Sequence, residues 1–285
     1  MGDARREYLD RLATVGYVPQ FTADGAPCAV TDQGNAPEPV FLLSIPKAGT
    51  YLAAEVMEAL GVRSSKLHVD DGWASDFREF RKGTKMWHYQ FEMPVVDALA
   101  LVLPGQFAVG HLPCSDQIRR RLDRFSRVFI FRELRHAFVS WARFVINQDM
   151  DGGAADAARC MPDGPERVHW VMQLKSSEWL LPACRDMVAW RRVPGVLSIR
   201  FEDLAAERGP EAQGRVIDDL ARHLEVPLND AARRAARACV GSGTLTWSGG
   251  MSALASHWDA RLEAWFRSVG GPELNRTLGY PEGDN

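Results

Sequence analysis

Apolar residues fall along this chain in short unbroken runs, separated by longer amphipathic stretches. Val40–Ser44 reads VFLLS, with no alternation of polar and apolar positions. That pattern predicts a strand buried on both faces, as in a parallel sheet. A short loop over 45–49 follows, and Thr50–Leu60 carries a helical period that Gly61 stops. The strand–loop–helix unit recurs. Arg127–Phe131 predicts a second strand, running into a helix over about 136–147, and Gln106–Gly110 and Val196–Arg200 predict two more. Strands alternating with helices point to a three-layer α/β/α fold around a mainly parallel sheet. Ligands of such sheets sit beyond the carboxyl ends of the strands, where Lys47, His111 and Arg132 would converge.

Toward the termini the pattern is less regular. Residues 1–39 read as an N-terminal helix and a polar loop, and 40–280 as the core of a single domain spanning 1–285. Asp149–Pro165, rich in Gly, Ala and Asp, reads as a mobile loop or a lid. Gly214–Leu224 and Leu228–Val240 read as helices, and Gly241–Gly250 as a loop. Trp258, Leu262, Trp265 and Phe266 recur at helical spacing, so Leu254–Val269 reads as one amphipathic helix.

Composition narrows the class. The chain has 285 residues, 46% of them hydrophobic and 25% charged, enough for a large core without staples. Its net charge of -3 argues against a general nucleic-acid coat. The charged stretch 1–11 has no apolar signal-peptide core, and no run reaches the roughly 18 apolar residues of a membrane span, so a cytoplasmic protein is expected. Five scattered cysteines without a CxxC pair argue for thiols rather than a zinc site or disulfides, and no convincing metal-ligand cluster stands out.

Two segments carry chemistry. Pro46, Lys47, Ala48, Gly49, Thr50 and Tyr51 join a buried strand to a helix. Backbone N–H groups at a helix N-terminus bind anions, Gly49 permits close approach, and Lys47 and Thr50 add a cation and a hydroxyl. An ordinary strand-to-helix turn with a surface lysine is the competing reading, since GxxxxGK[ST] is absent. The second segment runs from Arg132, at a strand end, to Ser140, two turns into the next helix. A guanidinium fork and a hydroxyl suit a phosphate monoester. A solvated basic run competes, because Arg119, Arg120, Arg121, Arg124 and Arg127 precede it.

Taken together and in this order, PKAGTYL at 46–52 and the strand followed by RELRHAFVSW at 132–141 resemble the PAPS-dependent sulfotransferases (PAPS is 3′-phosphoadenosine-5′-phosphosulfate). Trp190 followed by VLSIRFEDL at 196–204, and GHLP at 110–113, resemble two further family segments, and the resemblance spans roughly 40–280. It implies that the 46–51 loop holds the 5′-phosphosulfate and that Lys47 offsets charge on the leaving oxygen. It implies that Arg132 and Ser140 hold the 3′-phosphate, with Ser248, Gly249 and Gly250 as backbone contacts. His111 would be the general base, with Asp70, Glu92 and His88 in reserve. It implies PAPS as co-substrate, no metal, and a small-molecule or lipid-like acceptor with a hydroxyl or amine. Trp73, Trp87, Tyr89, Trp141 and Trp170 are expected around the acceptor. The alternatives are a non-catalytic nucleotide-binding member of the same fold, or a P-loop-like kinase. Leu52 stands where the family has Trp, and Val109 where one branch has Lys.

Overall fold

The computed structural model describes residues 2–81, 84–241 and 254–281. A helix, Gly2–Thr14, leads into a small antiparallel hairpin of β1 (Gln20–Phe21) and β2 (Pro27–Cys28). Seven strands then form one sheet: β3 (Val40–Ser44), β4 (Arg63–Asp70), β5 (Trp73–Asp76), β6 (Gln90–Glu92), β7 (Gln106–Gly110), β8 (Ser126–Phe131) and β9 (Val196–Arg200). Their order across the sheet is β6-β5-β4-β7-β3-β8-β9. The five strands from β4 to β9 are parallel, and β5 and β6 add an antiparallel edge.

The unbroken apolar runs explain the three layers. Every residue of β3 and of β7 is buried. In β3, Phe41 and Leu43 join one apolar layer, while Val40 and Leu42 join the other. The helix Thr50–Ala59 packs into the second layer through Leu52, Ala53, Val56 and Met57. The helix Leu134–Gln148 covers the opposite face through Ala137, Phe138, Trp141 and Val145. From β3 the chain crosses to β4 on one side, and from β8 it crosses to β9 on the other. The carboxyl ends of β3 and β8 therefore flank a reversal of strand order, where α/β sheets place ligands.

Several expectations need correction. Residues 149–165 are not one loop: Gly153–Cys160 is a helix, and another begins at Pro165. Alanines dominate 154–158, and Ala155 and Ala158 bury against the core, so strong helix propensity outweighs the flanking glycines. The expected single helix 254–269 is two, Leu254–His257 and Ala260–Ser268, because Asp259 caps the second by accepting from the Leu262 N–H at 2.9 Å. The helix expected over 214–224 begins at Pro210, whose ring suits a first helical position. The helix expected over 228–240 is Asp230–Ala238, capped by Asn229. Strands β5 and β6, and most of β4, had no counterpart among the expected elements. No helix among the described residues is long and apolar enough to cross a membrane.

Candidate active site

The loop after β3 is held in an unusual backbone shape. Lys47 has φ 65° and Gly49 has φ 95°, both left-handed. A Cβ on Gly49 would lie 2.4 Å from the Phe201 ring, so glycine answers both the dihedral and the space. Gly49 also precedes the helix Thr50–Ala59 without any side-chain cap. The first helical N–H groups therefore face outward with the positive end of the helix dipole, an anion cradle.

Two cations border this cradle. Lys47 Nζ rests 4.1 Å above the Phe144 ring centroid. Burial, and then repulsion from Arg132, lower its pKa to about 7. Arg132, 8% exposed, lies with its guanidinium carbon 4.2 Å from the Phe201 ring centroid, and burial lowers its pKa too. Its nearest carboxylate oxygen, on Glu207, is 3.9 Å away, and its Nε is buried with no hydrogen-bond partner. A buried donor without a partner is costly. An entering phosphate group would give Arg132 Nε an acceptor and relieve the repulsion between Arg132 and Lys47.

Arg132 is fixed by its neighbours. The Glu133 carboxylate accepts from the His136 N–H at 3.1 Å and pairs with Arg135, capping the helix that carries Ser140. The Glu133 and Leu134 N–H groups donate to Glu202 and Asn275.

His111 follows β7. Gly110 permits this, since a Cβ there would lie 1.8 Å from the Val69 carbonyl of β4. The His111 N–H donates to Asp70 Oδ1 at 3.1 Å, and its Nδ1 lies 2.7 Å from the Ser44 carbonyl oxygen. A carbonyl only accepts, so Nδ1 carries the proton and Nε2 keeps a lone pair. Burial lowers the His111 pKa to about 4, against the opposing pull of Asp70. Burial opposes ionisation of Asp70, but His68, then His111, outweigh it and hold its carboxyl well below the usual range. His68 bridges Asp70, at 3.4 Å, and the Tyr51 hydroxyl, at 3.1 Å.

These groups open onto one cavity of about 710 Å³. Its lining includes Pro46, Lys47, Gly49, Thr50, Tyr51, His111, Arg132 and Ser140, so eight of the expected residues share one space. Ala48 does not line it: its side chain is buried and its N–H donates to the Ile45 carbonyl at 3.0 Å. Ser248, Gly249 and Gly250 lie outside the described residues. Of the reserve bases, Asp70 lines the cavity, while Glu92 and His88 do not. Val109 is buried in an apolar layer, so no cation replaces the lysine of the family branch.

Trp73, Trp87 and Trp141 line the cavity as expected, whereas Tyr89 and Trp170 do not. Trp179 and Phe144 were missed. Trp179 sits 5.2 Å from Trp141 and 6.3 Å from His111 between ring centroids, from a distant segment whose sequence carries no motif. Phe201, beside Gly49 and Arg132, lies in the VLSIRFEDL segment of the resemblance, which gave it no role in the site.

No family model matches the chain, and no curated protein matches it in sequence. Solved structures do match. Retinol dehydratase in complex with androsterone and inactive cofactor PAP aligns over 100% of this chain and 96% of its own, at TM-score 0.53 and 14% identity. Retinol dehydratase with retinol and PAP aligns over 100% and 97%, at TM-score 0.50 and 12% identity. Mouse sulfotransferase SULT7A1 complexed with PAP aligns over 86% of both chains at TM-score 0.49 and 13% identity. At these identities the likeness is one of fold, and the chain has the PAPS-dependent sulfotransferase fold.

Proposed function

We propose that this chain is a cytoplasmic sulfotransferase that moves a sulfuryl group from PAPS to a hydroxyl or amine of a small-molecule or lipid-like acceptor, releasing PAP. One observation carries the reading. An uncapped helix N-terminus, Lys47, an unpaired Arg132 Nε and a neutral His111 all border the same cavity. The residues fit the nucleotide, because the helix N-terminus has no side-chain cap, Arg132 Nε has no hydrogen-bond partner, and the carboxylate nearest Arg132, on Glu207, stands 3.9 Å away. The neighbours' own complexes with PAP, androsterone and retinol support the same class of ligands.

When bound, PAPS supplies an activated sulfuryl group whose leaving oxygen gathers negative charge. The helical N–H groups and Lys47 sit where they would bind that end and offset the charge. Arg132 and Ser140 would hold the 3′-phosphate, the feature that separates PAPS from ATP. His111 Nε2 would take the proton of the acceptor hydroxyl, and its Nδ1–H, anchored on Ser44, keeps the ring oriented through that step. Asp70 stands behind it and stabilises the imidazolium that results, and His68 holds the Asp70 carboxylate in place. Trp141, Trp179 and Phe144 offer flat apolar walls to the acceptor and exclude water from the transfer.

Incubation with PAPS and a panel of phenols, alcohols and amines tests this, with PAP release as the readout. Acceptor-dependent PAP is expected. Binding of PAP without turnover on any acceptor would favour the non-catalytic member of the fold.

A further inference from the structure

Ser44 is fully buried at the end of β3 and ties together two parts of the site. Its carbonyl oxygen lies 2.7 Å from His111 Nδ1. Its hydroxyl lies 3.2 Å from the same nitrogen and 2.7 Å from the Thr50 hydroxyl. The direction of these bonds follows from donor chemistry. Because Nδ1 carries its proton toward the carbonyl, Ser44 Oγ can only accept from it. The Ser44 hydrogen then has one partner left, Thr50 Oγ1. The Thr50 hydrogen finds no acceptor among the described residues. Thr50 is 5% exposed and borders the cavity beside Lys47. The favoured order of these bonds therefore runs from His111 through Ser44 to Thr50, and ends on a donor offered to the anion cradle.

The opposite order is available only at a cost. Were Thr50 to donate to Ser44 Oγ, both neighbours of that oxygen would be donors and the buried Ser44 hydrogen would lose the acceptor it has in Thr50 Oγ1. An anion that draws the Thr50 hydrogen outward removes that second order. We propose that Ser44 is a positioning residue that couples the occupancy of the 46–50 loop to the alignment of the His111 imidazole, so that the base is set when the nucleotide is in place. The inference rests on the sulfotransferase reading. It adds a link between the two half-sites that neither motif contains, and the coupling acts in both directions.

The test follows the His111 ring by NMR on protein with ¹⁵N-labelled histidine, the signal assigned with His111→Gln, before and after addition of adenosine 3′,5′-bisphosphate. In the wild type the bisphosphate is expected to slow exchange of the Nδ1 proton with solvent. In Ser44→Ala the nucleotide still binds within about twofold, but exchange no longer responds. The acceptor turnover rate falls about 3–10-fold, the worth of one neutral hydrogen bond, with the KM for nucleotide unchanged. Ser44→Thr, which keeps the hydroxyl, restores both. Thr50→Val, which cuts the chain at its other end, abolishes the response as well. A wild-type response in Ser44→Ala, or a Ser44→Thr variant as impaired as Ser44→Ala, overturns the coupling while the nucleotide reading stands. A wild-type protein that does not bind the bisphosphate overturns the nucleotide reading, and the coupling with it.

Discussion

Replacing Gly49 with alanine strikes the loop at its tightest point. An L-residue held at φ 95° is strained by roughly 1–3 kcal/mol. The new Cβ would also sit 2.4 Å from one Phe201 ring carbon and 2.7 Å from the next. That ring is 6% exposed and sandwiched against Arg132, so it has little room to retreat. Overpacking of this kind costs about 1–3 kcal/mol. Together the two effects predict a loss of about 2–6 kcal/mol, or roughly 5–20 °C of melting temperature in a chain of this size. Gly72→Ala is the matched control. It has φ 81° and nothing within 4 Å of its Cβ, so it bears the dihedral cost alone. The difference between the two melts measures the contact with Phe201. Adding Phe201→Ala to Gly49→Ala should return about 1–3 kcal/mol relative to the sum of the single changes, as coupled neighbours do. Gly49→Ala should also weaken bisphosphate binding, since it displaces the helical N–H groups. Were Gly49→Ala to melt within two degrees or so of Gly72→Ala, the packing assigned to this loop would be wrong.

The remaining predictions concern charge. Lys47, lowered to about 7, is largely neutral at pH 8 in the free protein and charged once an anion is bound, so binding the bisphosphate at pH 8 takes up close to one proton. Calorimetry in two buffers of different ionisation enthalpy reads this directly, and Lys47→Met should show no uptake and little transfer activity. The same shift has a stability sign: between about pH 7 and the ordinary lysine range near 10.4, the unfolded chain holds the Lys47 proton and the folded one does not. This contribution to stability therefore rises with pH over that window, is lost as pH falls through about 7, and disappears in Lys47→Met. For His111, lowered to about 4, the acid limb of the kcat/KM profile should fall near pH 4 and not near 6.5. His111→Gln should cut turnover by roughly 10²–10⁴-fold while bisphosphate binding persists. Arg132→Ala should weaken adenosine 3′,5′-bisphosphate far more than AMP; equal losses would mean that Arg132 does not read the 3′-phosphate.

The legible parts of the fold were those with one dominant signal. Strands β3 and β7 are parallel strands buried throughout, and β8 is buried over its last four residues; such burial on both faces writes itself as apolar runs, and the half-buried edge strand β9 carries a similar run in VLSI. Lys47, His111 and Arg132 stood out because each follows such a strand. Strand β4, inside the sheet between β5 and β7, reads RSSKLHVD, and its polar residues hide it. So His68 and the setting of Asp70, which depend on β4 lying beside β7, were out of reach. Ser44 looked like the last residue of a strand, because its role depends on His111, 67 residues away. Trp179 enters the cavity from a segment whose local pattern is only that of packing, and Phe201 from VLSIRFEDL, a segment whose resemblance gave this ring no role. At Asp259 a capping carboxylate broke an apolar period that otherwise ran on.

The central claim is that the loop after β3 and the arginine after β8 together hold a nucleotide bearing a 3′-phosphate. It is tested most directly by titrating the protein with adenosine 3′,5′-bisphosphate and following its melting temperature, beside AMP and ATP. A ligand present at about 100 times its dissociation constant stabilises the native state by roughly 2.7 kcal/mol, which corresponds to roughly 5–11 °C here. A shift of that size with the bisphosphate, and a much smaller one with AMP or ATP, is the predicted result. No shift with the bisphosphate, or a larger one with ATP, would contradict it.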